Sequence, residues 1–189
     1  MTTRRAFLQV AAAAAAPAAM GGMPGLASRG MPPDLVLFEE TLAPAAAFAR
    51  RVQSQGIAVR SLRHGDITEA WLRAIRPAWQ RGRASIAGLT TPPALFCLEQ
   101  FAFAQGLRVM YHAEHVLLPD GHVLHEVHST QKPVSAALLQ RAADRWPLRL
   151  ADSITHPRIS RATRPGPSLA ALAPALPAGA TLLTSWIIA

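Results

Sequence analysis

The chain has 189 residues, of which 50% are hydrophobic and 16% are charged, and its formal net charge at pH 7 is +8. This length allows one packed domain after a short N-terminal segment. The single cysteine excludes an internal disulfide, so a hydrophobic core is expected to supply the stability. No arginine block is interleaved with aromatic residues as a single-strand binder requires, which argues against nucleic acid as a partner.

The N-terminal segment contains a twin arginine followed by a weakly hydrophobic, alanine-rich run. The stretch TRRAFL at residues 3–8 precedes the run AAAAAAPAAM. This segment resembles the twin-arginine (Tat) export signal of bacteria, whose motif is Ser/Thr-Arg-Arg-x-Phe-Leu. The resemblance implies cleavage after Ala27, with a signal peptide over residues 1–27 and a single domain over residues 28–189.

The resemblance to a Tat signal also implies a class of cofactor and of partner. Proteins that use the Tat translocase cross the membrane already folded, often with a metal or redox cofactor in place. The resemblance therefore implies a binding or accessory module in the bacterial periplasm. A periplasmic or membrane redox enzyme is its expected partner, besides the translocase itself.

Short apolar segments alternate with helical segments in the first half of the mature chain. PDLVLFEE, IAVRSL and ASIAGLTT predict strands that begin near Asp34, Ile57 and Ala84. A hairpin over residues 108–128 and the apolar C-terminal strand ATLLTSWIIA complete the pattern. The alternation predicts an α/β domain of the Rossmann-like, three-layer kind, with a mainly parallel sheet, an antiparallel β-hairpin and a C-terminal strand.

Helix signals lie between these strands. The first helix has Pro44 in its first turn and Gly56 at its end. The second begins with Asp66 and Glu69 in capping-box spacing, and Pro77 is expected to end or kink it. Its apolar face comprises Trp71, Leu72 and Ile75. A later helix is predicted over residues 134–146, followed by the Pro-rich basic loop HPRISRATRPGPS.

The turn after the third strand, GLTTPP, is the best candidate for binding an anionic cofactor. Gly88, Thr90 and Thr91 precede a predicted helix N-terminus, where free amides and the helix dipole favour negative charge. Thr90 and Thr91 are therefore candidate cofactor-binding residues. The alternative is that Thr91 only caps the helix.

Cys97 lies within this third helix among apolar residues. A nucleophilic cysteine needs a positive, partly exposed setting and a nearby base. The neighbours here are Leu95, Phe96, Leu98 and Phe101. The pattern predicts a core cysteine.

The stretch YHAEHVLLPDGHVLHEVH, residues 111–128, holds five of the seven histidines. Pro119, Asp120 and Gly121 predict a three-residue hairpin loop. If Leu118 pairs with His122, alternation places two sets of side chains on opposite faces of the hairpin. One face carries His112, Glu114, Glu126 and His128, and the other carries Tyr111, His115, His125 and Val127.

The first of these faces predicts a metal site. Two glutamates directly opposite each other repel, and a divalent transition metal such as zinc, iron or manganese would remove that conflict. Two imidazoles and two carboxylates form a suitable ligand set. A polar hairpin without metal and acid/base catalysis by the same residues remain the alternatives.

Two other functions compete with this interpretation. A small periplasmic enzyme would use the crevice at the carboxyl ends of the strands. Its candidate residues are Glu39, Glu40, His64, Asp66, Thr90 and Thr91. A docking protein without a site would instead bind its partner through the apolar C-terminal strand.

Overall fold

The computed structural model describes residues 31–82, 84–128, 133–156 and 176–189. The predicted signal peptide and most of the predicted basic loop lie outside these ranges. The strands are β1 (Leu35–Glu39), β2 (Ala58–Leu62), β3 (Ile86–Thr90), β4 (Val109–Leu117), β5 (Val123–Val127) and β6 (Thr181–Ile188). The helices are α1 (Ala43–Gln53), α2 (Thr68–Ala70), α3 (Arg76–Arg81), α4 (Pro92–Ala104), α5 (Ala136–Ala142) and α6 (Trp146–Thr155).

The strands form one six-stranded sheet in the order β2-β1-β3-β6-β4-β5. β1 pairs in parallel with both β2 and β3, so the predicted parallel arrangement of the first three strands is confirmed. The hairpin of β4 and β5 lies at one edge, also as predicted.

The expectation of a mainly parallel, Rossmann-like sheet is wrong. β6 lies between β3 and β4 and is antiparallel to both, and β5 is antiparallel to β4. The sheet is therefore mixed. β6 is apolar along most of its length, so it gains more by burial at the centre of the sheet than at an edge. Its central position also corrects the docking hypothesis, because Leu183–Trp186 are buried and unavailable to a partner.

A hydrophobic cluster covers each face of the sheet. On one face, α2, α3 and α4 pack through residues such as Ala70, Trp79 and Leu98. On the other, α1, α5 and α6 pack through residues such as Phe48, Leu139 and Leu150. The result is three layers, with helices on both sides of the sheet. None of the helices in the described ranges is long and apolar enough to cross a membrane.

The predicted second helix is interrupted by a π-helical segment, Trp71–Ile75, that joins α2 to α3. Pro77 follows this segment, and the wider turn accommodates a residue that has no backbone N–H to donate. The capping box is not formed: Asp66 accepts from the Thr68 amide before the helix, and Glu69 pairs with Arg73. Leu72, predicted to face inward, is 56% exposed, because the π segment shifts the helical register.

The helix predicted over residues 134–146 corresponds to α5 and the 3₁₀ turn Ala143–Arg145 that follows it, and a separate helix, α6, begins at Trp146. α6 was missed. Its signals were Pro147 in the first turn and apolar residues at helical spacing, of which Leu150 and Ile154 are buried.

Cys97 is exposed, so its assignment to the core is wrong. Apolar residues surround most of α4, including its exposed side, so the sequence pattern did not identify the buried face. The residues that pack against the sheet are Ala94, Leu95, Leu98 and Ala102. Cys97 follows Phe96 on the outer side of the helix, where Phe96 is also exposed.

Candidate functional site

The hairpin has the register that its turn predicts. The Leu118 amide donates to the His122 carbonyl over 2.8 Å, which closes the loop. From this pair the ladder places Glu114 opposite Glu126 and His115 opposite His125. The two faces of the hairpin therefore carry different polar groups, as expected from the period of a strand.

One face carries a group that we call the carboxylate cluster: Glu114, Glu126 and His128. One ligand atom from each residue lies within 4.8 Å of the other two. The His128 ring lies between the two acids, with Nε2 3.5 Å from Glu114 Oε2 and Nδ1 3.6 Å from Glu126 Oε1. Ligand atoms around a tetrahedral zinc are about 3.4 Å apart. Small side-chain movements would bring this cluster to that spacing.

His112, the fourth predicted ligand, is not part of the cluster. Its ring lies beside that of His128, with the centroids 5.2 Å apart, and its Nε2 is buried without a hydrogen-bond partner among the described residues. Burial lowers the pKa of His112, the charge of His128 lowers it further, and Glu114 and Glu99 act in the opposite direction. The structure thus brings together three of the four predicted residues.

The opposite face carries a connected set of polar groups that we call the histidine chain: Tyr111, Ser185, His115 and His125. The Ser185 hydroxyl donates to the Tyr111 phenol oxygen over 3.4 Å and lies 2.8 Å from His115 Nε2. His115 Nδ1 lies 2.8 Å from His125 Nδ1. The two imidazoles pack against Trp146, with ring centroids 4.7 and 5.1 Å away.

Burial dominates the electrostatics of this chain. The His115 side chain is fully buried, and burial lowers its pKa to about 3, with further lowering by His125 and His112. Burial also lowers the pKa of His125 to about 4. The pKa of Tyr111 is raised to about 12 by burial, although the hydrogen bond from Ser185 acts in the opposite direction. Both histidines are therefore neutral near pH 7.

Ser185 was not anticipated by sequence reasoning, and neither was Trp146 as a neighbour of the histidines. The short distance between Ser185 and His115 resembles that of a nucleophile and its base. Both side chains are inaccessible to solvent, so a substrate cannot reach the serine. The pair is buried and contacts His125 through His115 Nδ1.

In the turn proposed for cofactor binding, Thr90 forms hydrogen bonds with residues of β6. Thr90 Oγ1 accepts from Trp186 Nε1 over 2.9 Å, and the Thr90 carbonyl accepts from the Thr184 hydroxyl. Thr91 is at the N-cap position of α4 but makes no side-chain capping bond, and its Oγ1 is buried without a partner among the described residues. The Thr90 side chain is therefore buried and hydrogen-bonded within the core.

Gly88 has a structural role that the anion hypothesis did not include. A Cβ at this position would lie 2.5 Å from Trp186 Cζ2 and 3.1 Å from the Leu37 carbonyl oxygen. The indole of Trp186 is fully buried against the bare backbone of this residue. A glycine here allows the indole to pack on β3.

Glu39 and Glu40, two of the acids proposed for an enzyme crevice, form hydrogen bonds and an ion pair with the loops that follow β1 and β2. Glu39 is only 1% exposed and accepts from the Thr41 hydroxyl and from the amides of His64 and Gly65, over 2.8 to 2.9 Å. Glu40 forms an ion pair with Arg63 at 2.7 Å. These contacts stabilise the carboxyl ends of β1 and β2, so the carboxylates have structural partners.

Comparison of this chain with family models, with curated proteins and with solved structures gave no match. Functional inference consequently rests on the geometry of the hairpin.

Proposed function

We propose that this chain is an exported metal-binding module, in which the carboxylate cluster holds one divalent transition metal. The observation that carries the proposal is the convergence of Glu114, Glu126 and His128 within 4.8 Å, on a hairpin whose register is fixed by its turn. One imidazole nitrogen and two carboxylate oxygens suit zinc, iron or manganese.

Electrostatics supports this proposal. Glu114 and Glu126 are a directly opposed pair in the ladder, an arrangement that destabilises a hairpin when both acids are ionised. A divalent cation between them would convert this repulsion into attraction. Glu126 is 74% exposed, so an ion could enter and leave without opening the core.

Replacing Glu126 by alanine tests the site. We expect at least about a tenfold loss of zinc or manganese affinity, because one of three ligands is removed. Titration calorimetry on chelator-treated protein, with elemental analysis of the protein as purified, measures the effect. His122→Ala removes an exposed imidazole from the same hairpin outside the cluster, and it should leave the affinity unchanged.

The sign of the stability change separates this proposal from a metal-free polar hairpin. With chelator at pH 8, Glu126→Ala relieves like-charge repulsion and should leave the free energy of unfolding unchanged or raise it by about 0.5 kcal/mol. With metal, the same substitution should lower that free energy, because bound metal stabilises only the folded wild type. The same change in both conditions would contradict the metal site.

Export is supported by the twin-arginine motif alone, and it is tested separately. Arg4→Lys combined with Arg5→Lys should retain the precursor in the cytoplasm, because the Tat-like motif is lost. Cell fractionation followed by immunoblotting measures the distribution. Gln9→Ala, in the same segment but outside the motif, is the control. Normal periplasmic accumulation of the double variant would remove the export proposal and the suggested association with a redox enzyme.

A further inference from the structure

The outer side of α4 carries an exposed group of aromatic residues. Phe96, Phe101 and Phe103 are 64%, 38% and 66% exposed, although phenylalanine is usually buried in a folded chain. A phenylalanine side chain has about 150–250 Å² of surface, so the three rings together expose about 300 Å². Apolar surface of this extent on a folded protein often marks an interaction site.

The spacing of these residues makes the surface of α4 complementary to itself. Phe96 and Phe103 lie two helical turns apart, so they share one stripe of the helix. The exposed residues Glu99 and Gln100 lie between them, and the midpoint of the stripe falls between these two. When two copies of α4 pack in opposite directions about a two-fold axis at this midpoint, Phe96 of each copy faces Phe103 of the other.

The charges on this surface are complementary in the same arrangement. The guanidinium carbon of Arg108 lies 4.6 Å from the centroid of the Phe103 ring, so its charge is held beside that ring. Across the two-fold axis, this arginine comes next to Phe96 of the second copy and to Glu99, one turn further along. Within the described ranges, neither Glu99 nor Arg108 forms an ion pair. The arrangement therefore gives each charge a partner of opposite sign, twice over.

The apolar area also suits a second copy of this chain. An interface of standard size buries about 800 Å² on each partner, of which about 450 Å² is nonpolar. The three rings provide most of that nonpolar area. Exposed Leu72 adds to it, because it follows Trp71, whose ring stacks on Phe101 with the centroids 4.3 Å apart.

We propose that α4 is the interface of a homodimer. Two copies of the helix pack antiparallel through Phe96 and Phe103, and Arg108 of each copy forms an ion pair with Glu99 of the other. The two-fold axis passes close to Gln100. This interface does not depend on metal binding by the carboxylate cluster.

Sedimentation velocity of the full chain over micromolar concentrations tests the proposal, with chelator and a reducing agent so that neither metal nor a disulfide links the copies. We expect a dimer, and we expect Phe96→Ser to raise its dissociation constant at least about hundredfold, because symmetry removes the ring from both copies. Leu176→Ser removes an exposed apolar side chain outside α4 and should have no effect. A monomer at every concentration would mean that this face has a different occupant and would overturn the proposal. A dimer unaffected by Phe96→Ser would overturn it as well.

Exchange of the charges tests the orientation of the two helices. Glu99→Arg alone, or Arg108→Glu alone, places like charges across the axis and should raise the dissociation constant about tenfold. The two substitutions combined restore opposite charges and should recover most of the wild-type affinity, which a general loss of folding could not produce. If the combined variant dimerises no better than the single ones, the antiparallel arrangement is wrong.

Cross-linking tests the position of the axis. In a Cys97→Ser background, Gln100→Cys places a thiol close to the axis in each copy, and oxidation with diamide should join the copies through a disulfide. Gln140→Cys, in the same background, is the matched control on α5 in the opposite helical layer, and it should give little cross-linking. A dimer that cross-links through position 140 and not through position 100 would place the interface elsewhere and overturn the proposal.

Discussion

Gly88→Ala is expected to lower the free energy of unfolding by about 3 kcal/mol, through overpacking of the core. The added methyl would lie 2.5 Å from the Trp186 ring, which is fully buried and held by its hydrogen bond to Thr90. The Leu37 carbonyl, 3.1 Å away, belongs to the neighbouring strand and cannot withdraw. For a domain of this size the melting temperature should fall by about 6 to 12 °C, measurable by calorimetry.

A double-mutant cycle identifies the cause. In a Trp186→Phe background the ring is smaller, so Gly88→Ala should cost less than it does in the wild type. Trp186→Phe alone is itself destabilising, because Thr90 loses its donor. If the two substitutions are additive, the added methyl does not collide with the indole, and the packing of Trp186 on β3 is not the reason for a glycine here.

Acid is expected to destabilise the protein through His115. The pKa of His115 is about 3 in the folded protein, against an ordinary value of 6.5. Between these values the unfolded chain binds a proton that the folded chain does not, so the free energy of unfolding falls as the pH falls below 6.5. The fall is about 1.4 kcal/mol per pH unit, or about 2 kcal/mol from this residue at pH 5. Urea unfolding between pH 7.5 and pH 5, with chelator present, measures it.

The matched variant is His115→Phe, which keeps a buried ring of similar size and removes the titrating group. It should be less stable than the wild type at pH 7.5, because its partners in the histidine chain lose their hydrogen bonds. Its stability should nevertheless fall less steeply with acid. His125, whose pKa is also lowered by burial, should retain its own smaller contribution. Equal slopes for both proteins would show that His115 is not the acid-sensitive group.

The residues of the hairpin turn determined how much of the candidate metal site could be predicted from the sequence. Pro119, Asp120 and Gly121 specify a loop, and the loop fixes the partner of each residue for several positions along both strands. Glu114 and Glu126 were placed correctly for this reason. His112 also lies opposite His128, whose amide donates to the His112 carbonyl over 3.0 Å, and the two rings are neighbours. Its ring nitrogens nevertheless lie outside the group of three ligand atoms.

The histidine chain could not be predicted in the same way. Its serine is 70 residues from His115 along the chain, and Trp146 begins α6, whereas the predicted helix ended at this residue. Nothing in the local pattern around His115 distinguishes a buried imidazole from an exposed one. Its burial follows from the helices that cover this face of the sheet, and so do its lowered pKa and the resulting acid sensitivity.

By itself, the sequence determined the first three strands, the hairpin with its register, and the C-terminal strand, because periodicity and turn residues act over a few positions. The tertiary structure decided where the C-terminal strand lies. β6 enters the middle of the sheet in the antiparallel direction, and this one placement makes the sheet mixed, supplies Ser185 to His115 and places Trp186 over Gly88. Pairing between distant strands depends on how both sheet faces are buried at once, which no local stretch of sequence encodes.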